Sequence, residues 1–361
     1  MVQPMDLFEM LDFDAHEQVV FGCDMASGLR AIIAIHSTAL GPAAGGCRMR
    51  PYTALSDAVA DALRLSRGMS YKNAMAELPF GGGKGVIIGN AREKTRERLE
   101  AFGRLVDALG GRYVTAEDVG TTRADMERVA CVTPFVSGLA REAGQAGGDP
   151  GPKTALGVFL GIRAAVRFHL GRTSVAGLKI AVQGLGGVGH PLCRLLAAEG
   201  ALLYVADARP AVVERVCQEL DAQPVPVDSI LSQEADVLAP CALGAMLDAR
   251  SIPRLRAQVV AGAANNQLAR AEDGEALMRA GILYAPDYVI NAGGIISVAR
   301  EYHGGATSAQ VKAEIERIPA RLTDIFERVR REGRSTSAVA DEMAAHRLAA
   351  TGLRPLQRAS A

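Results

Sequence analysis

The stretch "KIAVQGLGGVGHPLCRLLAAEGALLYVADA" constrains the fold of this chain more than any other. An apolar, β-branched run ends at Gly184, and an amphipathic run with helical spacing opens after Gly189. A second apolar run ends at Asp207. Strand, tight turn, helix and strand make a βαβ unit. Its turn carries Gly184, Gly186 and Gly189 as GxGxxG, with Gly187 and Val188 inside the array. The first glycine makes the turn, the second lets backbone approach a pyrophosphate, and the third packs helix on strand. The N–H groups at the helix start then favour the anion. The bland alternative is a glycine-rich structural turn that binds nothing. Asp207 stands where an acid hydrogen-bonds ribose hydroxyls and repels a 2′-phosphate, which favours NAD over NADP. Arg209, two residues on, is able to accept that phosphate and argues the other way.

Beyond this unit, apolar runs recur at "ADVLAP", "AQVVAGAAN" and "GILYAPDYVI", mostly with helical patterns between them. That alternation predicts an open parallel sheet. Before it, residues 28–38 read as a strand, Val59 to Met69 as a helix, Val86 to Ile88 as a short strand, and "RYVTAED" as another. The fold class is therefore α/β, in two domains. The break falls in "REAGQAGGDPGPK", residues 141–153, where glycine and proline make a hinge.

In the first half, "ELPFGGGKGVIIGN" runs glycines into Lys84. A P-loop needs Gly at position 78 and Ser or Thr at 85, and this chain has Leu78 and Gly85. The glycines are better read as clearance, keeping side chains away while something small reaches the amine. Lys72 ends the preceding helix, and two neighbouring ammonium groups depress at least one pKa, as a general base near neutrality requires. Asp118 follows the strand in "YVTAEDVGTT", where a βα loop brings an acid to the sheet's mouth. Two amines, a carboxylate and a nicotinamide suggest oxidation of a small amino acid. Taken singly, the lysine is an ordinary loop residue and the aspartate a helix cap.

Lys+Arg and Asp+Glu both total 40, so no basic excess points to nucleic acid or an anionic membrane surface. Six scattered cysteines, with no CxxC pair, read as thiols in a reducing compartment and not as metal ligands. No apolar run is long enough to span a bilayer and the N-terminus carries no secretory pattern, so the expected location is cytoplasmic.

The stretches "GPAAGGCRM", "GMSYKNAMAELPFGGGKGVIIG", "YVTAEDVGTT", "AVQGLGGVG", "APCALGA", "AGAANNQL" and "YAPDYVINAGG" together resemble the glutamate/leucine/phenylalanine/valine dehydrogenase superfamily, in the family's order. The resemblance implies reversible oxidative deamination of an L-amino acid to a 2-oxo acid and ammonia, with NAD as cofactor. By the same resemblance Lys72 pairs with the substrate carboxylate, Gly45 and Gly46 lie along the substrate, Lys84 activates water, and Asp118 handles the amino proton. Thr154, Asn265 and Asn291 match positions near the nicotinamide or substrate. The implied domains are 1–148 for substrate binding, catalysis and oligomerisation, joined by a C-terminal helix at 332–361, and 149–331 for a Rossmann-type NAD-binding domain. A homo-oligomer, between dimer and octamer, is implied as well.

Glutamate enzymes of this superfamily carry a lysine where this chain has Ala44 and a serine where it has Val298. Burying a carboxylate there unpaired costs several kcal/mol, on the order of 2–7 for a polar group and more for a charge. The side-chain pocket is expected to be apolar, lined by Ala44, Ala116, Ile295 and Val298. A leucine-like, branched-chain substrate is favoured narrowly over phenylalanine. Cys47 and Arg50 depart from the leucine-type wording, and "LPFGGGKG" is nearer to the glutamate type.

Overall fold

The computed structural model describes residues 6–139, 145–242 and 244–350. These divide into two compact units. The first takes the described residues through Gly148, Val298–Thr307, and those from Ala344; the second takes Asp149–Ser297 and Ser308–Met343. Among the described residues no helix is long and apolar enough to cross a membrane.

The first unit is built on β1 (Gln18–Asp24), β2 (Leu29–Ser37), β3 (Ala43–Arg50), α1 (Leu55–Met75), β4 (Gly81–Ile88), α2 (Arg96–Asp107), β5 (Tyr113–Glu117) and α3 (Arg123–Val129). The strands form one sheet in the order β1-β2-β4-β3-β5. β1 and β4 run antiparallel to β2, while β3 lies parallel to both β4 and β5. β3, "AAGGCRMR", has no strand signature in its composition, and its central place between two partners overrides weak propensity. On one face Ile32, Ala34 and Val86 pack on Ala58, Val59, Ala62 and Leu63 of α1. On the other, Ile33, Ile35, Cys47 and Ile87 pack with Phe102, Val106, Met126 and Val129 of α2 and α3.

The second unit holds α4 (Gly151–Leu170), β6 (Lys179–Gln183), α5 (Gly189–Ala198), β7 (Leu202–Ala206), α6 (Pro210–Leu220), β8 (Gln223–Pro224), β9 (Val237–Pro240), β10 (Val259–Val260), α7 (Glu272–Arg279), β11 (Leu283–Tyr284) and α8 (Asp287–Ile290). Then come α9 (Gly293–His303), α10 (Ser308–Ile315), α11 (Ile318–Glu332) and α12 (Thr336–Ala349). All pairs in the six-stranded sheet are parallel, in the order β11-β10-β9-β6-β7-β8. The order reverses between β6 and β9, the switch point at which doubly wound sheets bind ligands.

Three expectations shift. "GILYAPDYVI" is strand only as far as Tyr284, because Pro286 ends the ladder and fits the entry to α8. The chain returns to the first unit twice, at Val298–Thr307 inside the expected second domain and again from Ala344, later than residue 332, since the first part of α12 stays with the second unit, where Tyr288 Oη donates to Asp341 Oδ1 at 2.8 Å. Of the linker at 141–153, residues 141–144 lie outside the described residues. Gln145 bridges Thr307, and Gly151 already opens α4.

Candidate active site

Cross-strand pairing in the first unit decides which side chains share a face. Ala44 opposes Gly82 and Val114, Gly46 opposes Ala116, and Arg48 opposes Val86. Strand alternation then puts Lys84 on that same face, the one covered by α1. Asp118 follows β5, two residues past Ala116, and its carboxylate reaches across to Lys84: Nζ lies 2.8 Å from Oδ2. Ala44, Lys84, Ala116 and Asp118 are thus brought together. Lys84 is 5% exposed, Ala44 is buried and Ala116 is half-buried.

The glycine run does something other than the sequence suggests. Gly81 to Gly85 belong to β4 itself, fully buried. A Cβ at Gly81 would stand 1.8 Å from the Ser37 carbonyl oxygen, and one at Gly83 2.7 Å from the Tyr113 ring. One at Gly82 would meet the backbone nitrogen of Ser70 on α1 at 2.1 Å. The glycines therefore admit the protein's own neighbours, letting β4 lie tightly between β2, β3 and α1. Gly45 and Gly46 follow the same rule. Their Cβ atoms would meet Gly83 O at 1.8 Å and Asp118 Cβ at 2.8 Å. Gly46 makes room for the aspartate.

Arg48 is a member of this cluster that motif reading passes over. Its Nε donates to Asp118 Oδ2 at 3.0 Å, and its Nη1 donates to Asp61 Oδ2 of α1 at 3.0 Å. Asp61 also accepts from Tyr52 Oη at 2.7 Å and from Arg64 Nη2 at 3.1 Å. Burial raises the Asp118 pKa, but the Lys84 and Arg48 cations outweigh it and hold the carboxyl at about 2. Asp61 behaves alike: burial pushes it up, and Tyr52, Arg48 and Arg64 bring it below the usual carboxylate range. The Asp118 backbone is fixed separately, its N–H donating to Thr121 Oγ1, which donates in turn to Cys47 O at 2.7 Å. Lys72 occupies the last turn of α1, half-buried. Its neighbour Asn73 donates to Gly81 O at 2.6 Å, which pins that turn to the start of β4. Arg50, by contrast, is exposed and stacks on Tyr52.

In the second unit the four glycines of the turn separate into two kinds. A Cβ at Gly184 would crowd Ala242 at 2.8 Å, and one at Gly189 would lie 1.8 Å from Gly184 O. A Cβ at Gly186 or Gly187 would meet no protein atom within 4 Å. Fold packing explains the first two; open approach to the backbone is what the other two provide. Val188 stands at the N-cap of α5. Asp207, just past β7, accepts from Leu185 N at 2.8 Å, so the strand-end acid is tied to the glycine turn. Arg209 folds back onto it, Nε to Oδ1 at 2.9 Å and Nη2 to Oδ2 at 3.1 Å. That fork holds the Asp207 carboxyl far below the usual range.

Asn291 Nδ2 donates to Asn265 Oδ1 at 2.8 Å and to Ala263 O at 2.9 Å, so these two predicted residues meet. Thr154 Oγ1 donates to the O of Pro150, the N-cap of α4, and it closely faces Gly294, where a Cβ would come within 2.7 Å of it. Ile295 and Val298 stand a turn apart on α9, both half-buried.

The Glu/Leu/Phe/Val dehydrogenase dimerisation domain matches residues 16–133, and the Glutamate/Leucine/Phenylalanine/Valine dehydrogenase domain matches residues 205–354. A leucine dehydrogenase of Geobacillus stearothermophilus is 47% identical, over 95% of this chain and 94% of its own. A valine dehydrogenase of Streptomyces coelicolor is 47% identical over 98% of both chains. Among solved structures, L-tryptophan dehydrogenase from Nostoc punctiforme superposes with a TM-score of 0.81 at 43% identity, covering 93% of this chain and 96% of that one. Matched along nearly its whole length, and with the lysine and aspartate of its motifs in contact, the chain belongs to the Glu/Leu/Phe/Val dehydrogenase family.

Proposed function

We propose that the protein catalyses the NAD-dependent, reversible oxidative deamination of an apolar L-amino acid, with leucine and other branched-chain substrates favoured. The observation that carries this reading is the 2.8 Å contact of Lys84 with Asp118, on a sheet face whose neighbouring small residues, Ala44 and Ala116, are apolar. In this reading Lys72 holds the substrate carboxylate and Gly45 and Gly46 flank it. Asp118 takes a proton from the substrate's ammonium group. Lys84, acting in its neutral amine form, takes the proton of a water that adds to the imine carbon, and collapse of that adduct releases ammonia and the 2-oxo acid. One amino acid, one water and NAD+ thus give one 2-oxo acid, one ammonium ion, NADH and a proton.

The turn residues fit a dinucleotide. Gly186 and Gly187 leave their outer side open, Val188 and Gly189 start α5, and Asp207 offers a carboxylate to ribose hydroxyls. When bound, the nicotinamide supplies the acceptor for the hydride leaving Cα. Asn265, Asn291 and Thr154 are the proposed polar neighbours of that ring and of the substrate. The Asp207 carboxylate, though forked by Arg209, keeps a negative charge where a 2′-phosphate would sit, which supports NAD over NADP.

Ala44, Ala116, Ile295 and Val298 are the proposed side-chain contacts. None supplies a cation, so glutamate is disfavoured. The small Ala44 and Ala116 also leave room for an aromatic side chain, and the similarity to a tryptophan dehydrogenase favours that second reading. A homo-oligomer is proposed through the first unit, where β1 is an edge strand with Phe21 half exposed, and Met25, just past its end, is nearly fully so. All six cysteines are free thiols, which fits a cytoplasmic enzyme.

The test is kcat/KM for leucine, isoleucine, valine, phenylalanine, tryptophan and glutamate with NAD+ and NADP+. Aliphatic substrates should exceed glutamate by at least about 100-fold. Glutamate matching leucine would sink the pocket assignment.

A further inference from the structure

We propose that Arg48 is a positioning residue for the reaction: it holds Asp118 by one carboxylate oxygen, Oδ2, and leaves Oδ1 to take the substrate's amino proton. The proposal rests on the reading of Asp118 as proton acceptor and says how that group is aimed. Both cations that touch the carboxylate use the same atom, Lys84 Nζ at 2.8 Å and Arg48 Nε at 3.0 Å. Among the described residues, none donates a hydrogen bond to Oδ1. A carboxylate gripped through one oxygen keeps its ionised form and presents the other oxygen in a fixed direction.

Arg48 is itself held at its far end. Its guanidinium is planar, so Nε toward Asp118 and Nη1 toward Asp61 fix its orientation in two directions. Asp61, on α1, is locked by Tyr52 and Arg64. The chain Asp118–Arg48–Asp61–Tyr52 thus connects the reacting carboxylate to the helix that also carries Lys72. Arg48 and Asp61 are both mostly buried, with side chains 16% and 10% exposed, so bulk water does not readily replace either partner. A lysine at position 48 would bring a point charge without the fork, and it would reach one carboxylate at a time.

The experiment compares Arg48→Gln, Arg48→Lys, Arg48→Ala, Asp61→Asn and Asp118→Asn with the wild type in leucine oxidation. Thermal melting is recorded for each. Arg48→Gln is expected to lower kcat by about 100-fold with KM for leucine within about threefold, as for a group acting on the reacting geometry. Arg48→Lys should fall between it and the wild type, and Asp61→Asn should lose about tenfold. Added guanidinium ion should restore Arg48→Ala by at least about tenfold, a readout that a merely structural strap would not give. If Arg48→Gln fails to fold, Asp61→Asn and Arg48→Lys decide the matter by the same kcat losses. Full kcat in the Arg48 variants beside an inactive Asp118→Asn overturns the positioning role alone. Full activity in Asp118→Asn overturns the underlying reading of the aspartate instead.

Discussion

Asp118 Oδ2 lies 2.8 Å from Lys84 Nζ, and this contact ties the loop after β5 to the centre of β4. Together with Arg48 it keeps the carboxyl at about 2 despite burial. The unfolded carboxyl has a pKa near ~3.9, so the pair's contribution to stability is present above about pH 4 and lost as pH falls through about 2. Acid titration of folding should show this: Asp118→Asn should be less stable than wild type at pH 6 and approach it near pH 2. A gap that stays constant across that window would contradict the pairing.

His16 sets a second, milder acid limit. Its Nδ1 accepts from Asp14 N at 3.2 Å, and its Nε2 must therefore donate to Leu63 O at 3.0 Å, which only the neutral ring satisfies. Burial, helped by the nearby His36, lowers its pKa from 6.5 to about 4. Unfolded chains take up a proton in that interval that the folded chain refuses. Stability should therefore be full above about pH 6.5 and fall by up to about 3 kcal/mol toward pH 4. Denaturant unfolding at several pH values should give a flatter profile for His16→Gln than for wild type.

Gly186 and Gly189 differ in crowding, which turns one motif into two predictions. Gly186→Ala meets no protein atom within 4 Å and should melt within a few degrees of wild type while weakening NADH binding by at least about tenfold. Gly189→Ala forces a Cβ to 1.8 Å from Gly184 O and should lower the melting temperature sharply. Melting curves and NADH titration by fluorescence separate the two. Equal melting losses would put Gly186 among the packing glycines.

Asp207 and Arg209 compete over the cofactor. Asp207→Ser removes the charge that repels a 2′-phosphate and frees the Arg209 fork. The ratio of kcat/KM with NAD+ to that with NADP+ should fall by at least about tenfold. An unchanged ratio would place the discrimination elsewhere. Because Asp207 also accepts from Leu185 N, some loss with both cofactors is expected.

A meeting of Lys84 with Asp118 is legible in the sequence from the two motifs, but the place of Lys84 inside β4, and not in a loop ahead of Val86, is not, because a glycine run carries no strand signature. The βαβ unit is equally legible, because its glycine spacing and apolar runs are local. Arg48 is not. It lies in a strand without strand-like composition, and its partners, Asp61 and Asp118, are joined to it only by parallel pairing and helix packing. The glycine run shows a different limit. Its strictness is visible, but what occupies the space beside Gly82 and Gly83, the Ser70 backbone and the Tyr113 ring, depends on long-range packing. The tie from Asp207 to Leu185 is likewise a side-chain contact with backbone that no local pattern encodes.

The most direct measurement is leucine-dependent NADH formation by Lys84→Met, an exchange that nearly keeps the volume of a buried residue and leaves Asp118 its Arg48 partner. With wild-type melting and NADH binding as controls, kcat should fall by at least about 1,000-fold, within the range for loss of a proton-transfer group. A folded, NADH-binding variant that keeps kcat within about tenfold of wild type would contradict the assignment of Lys84 as the base.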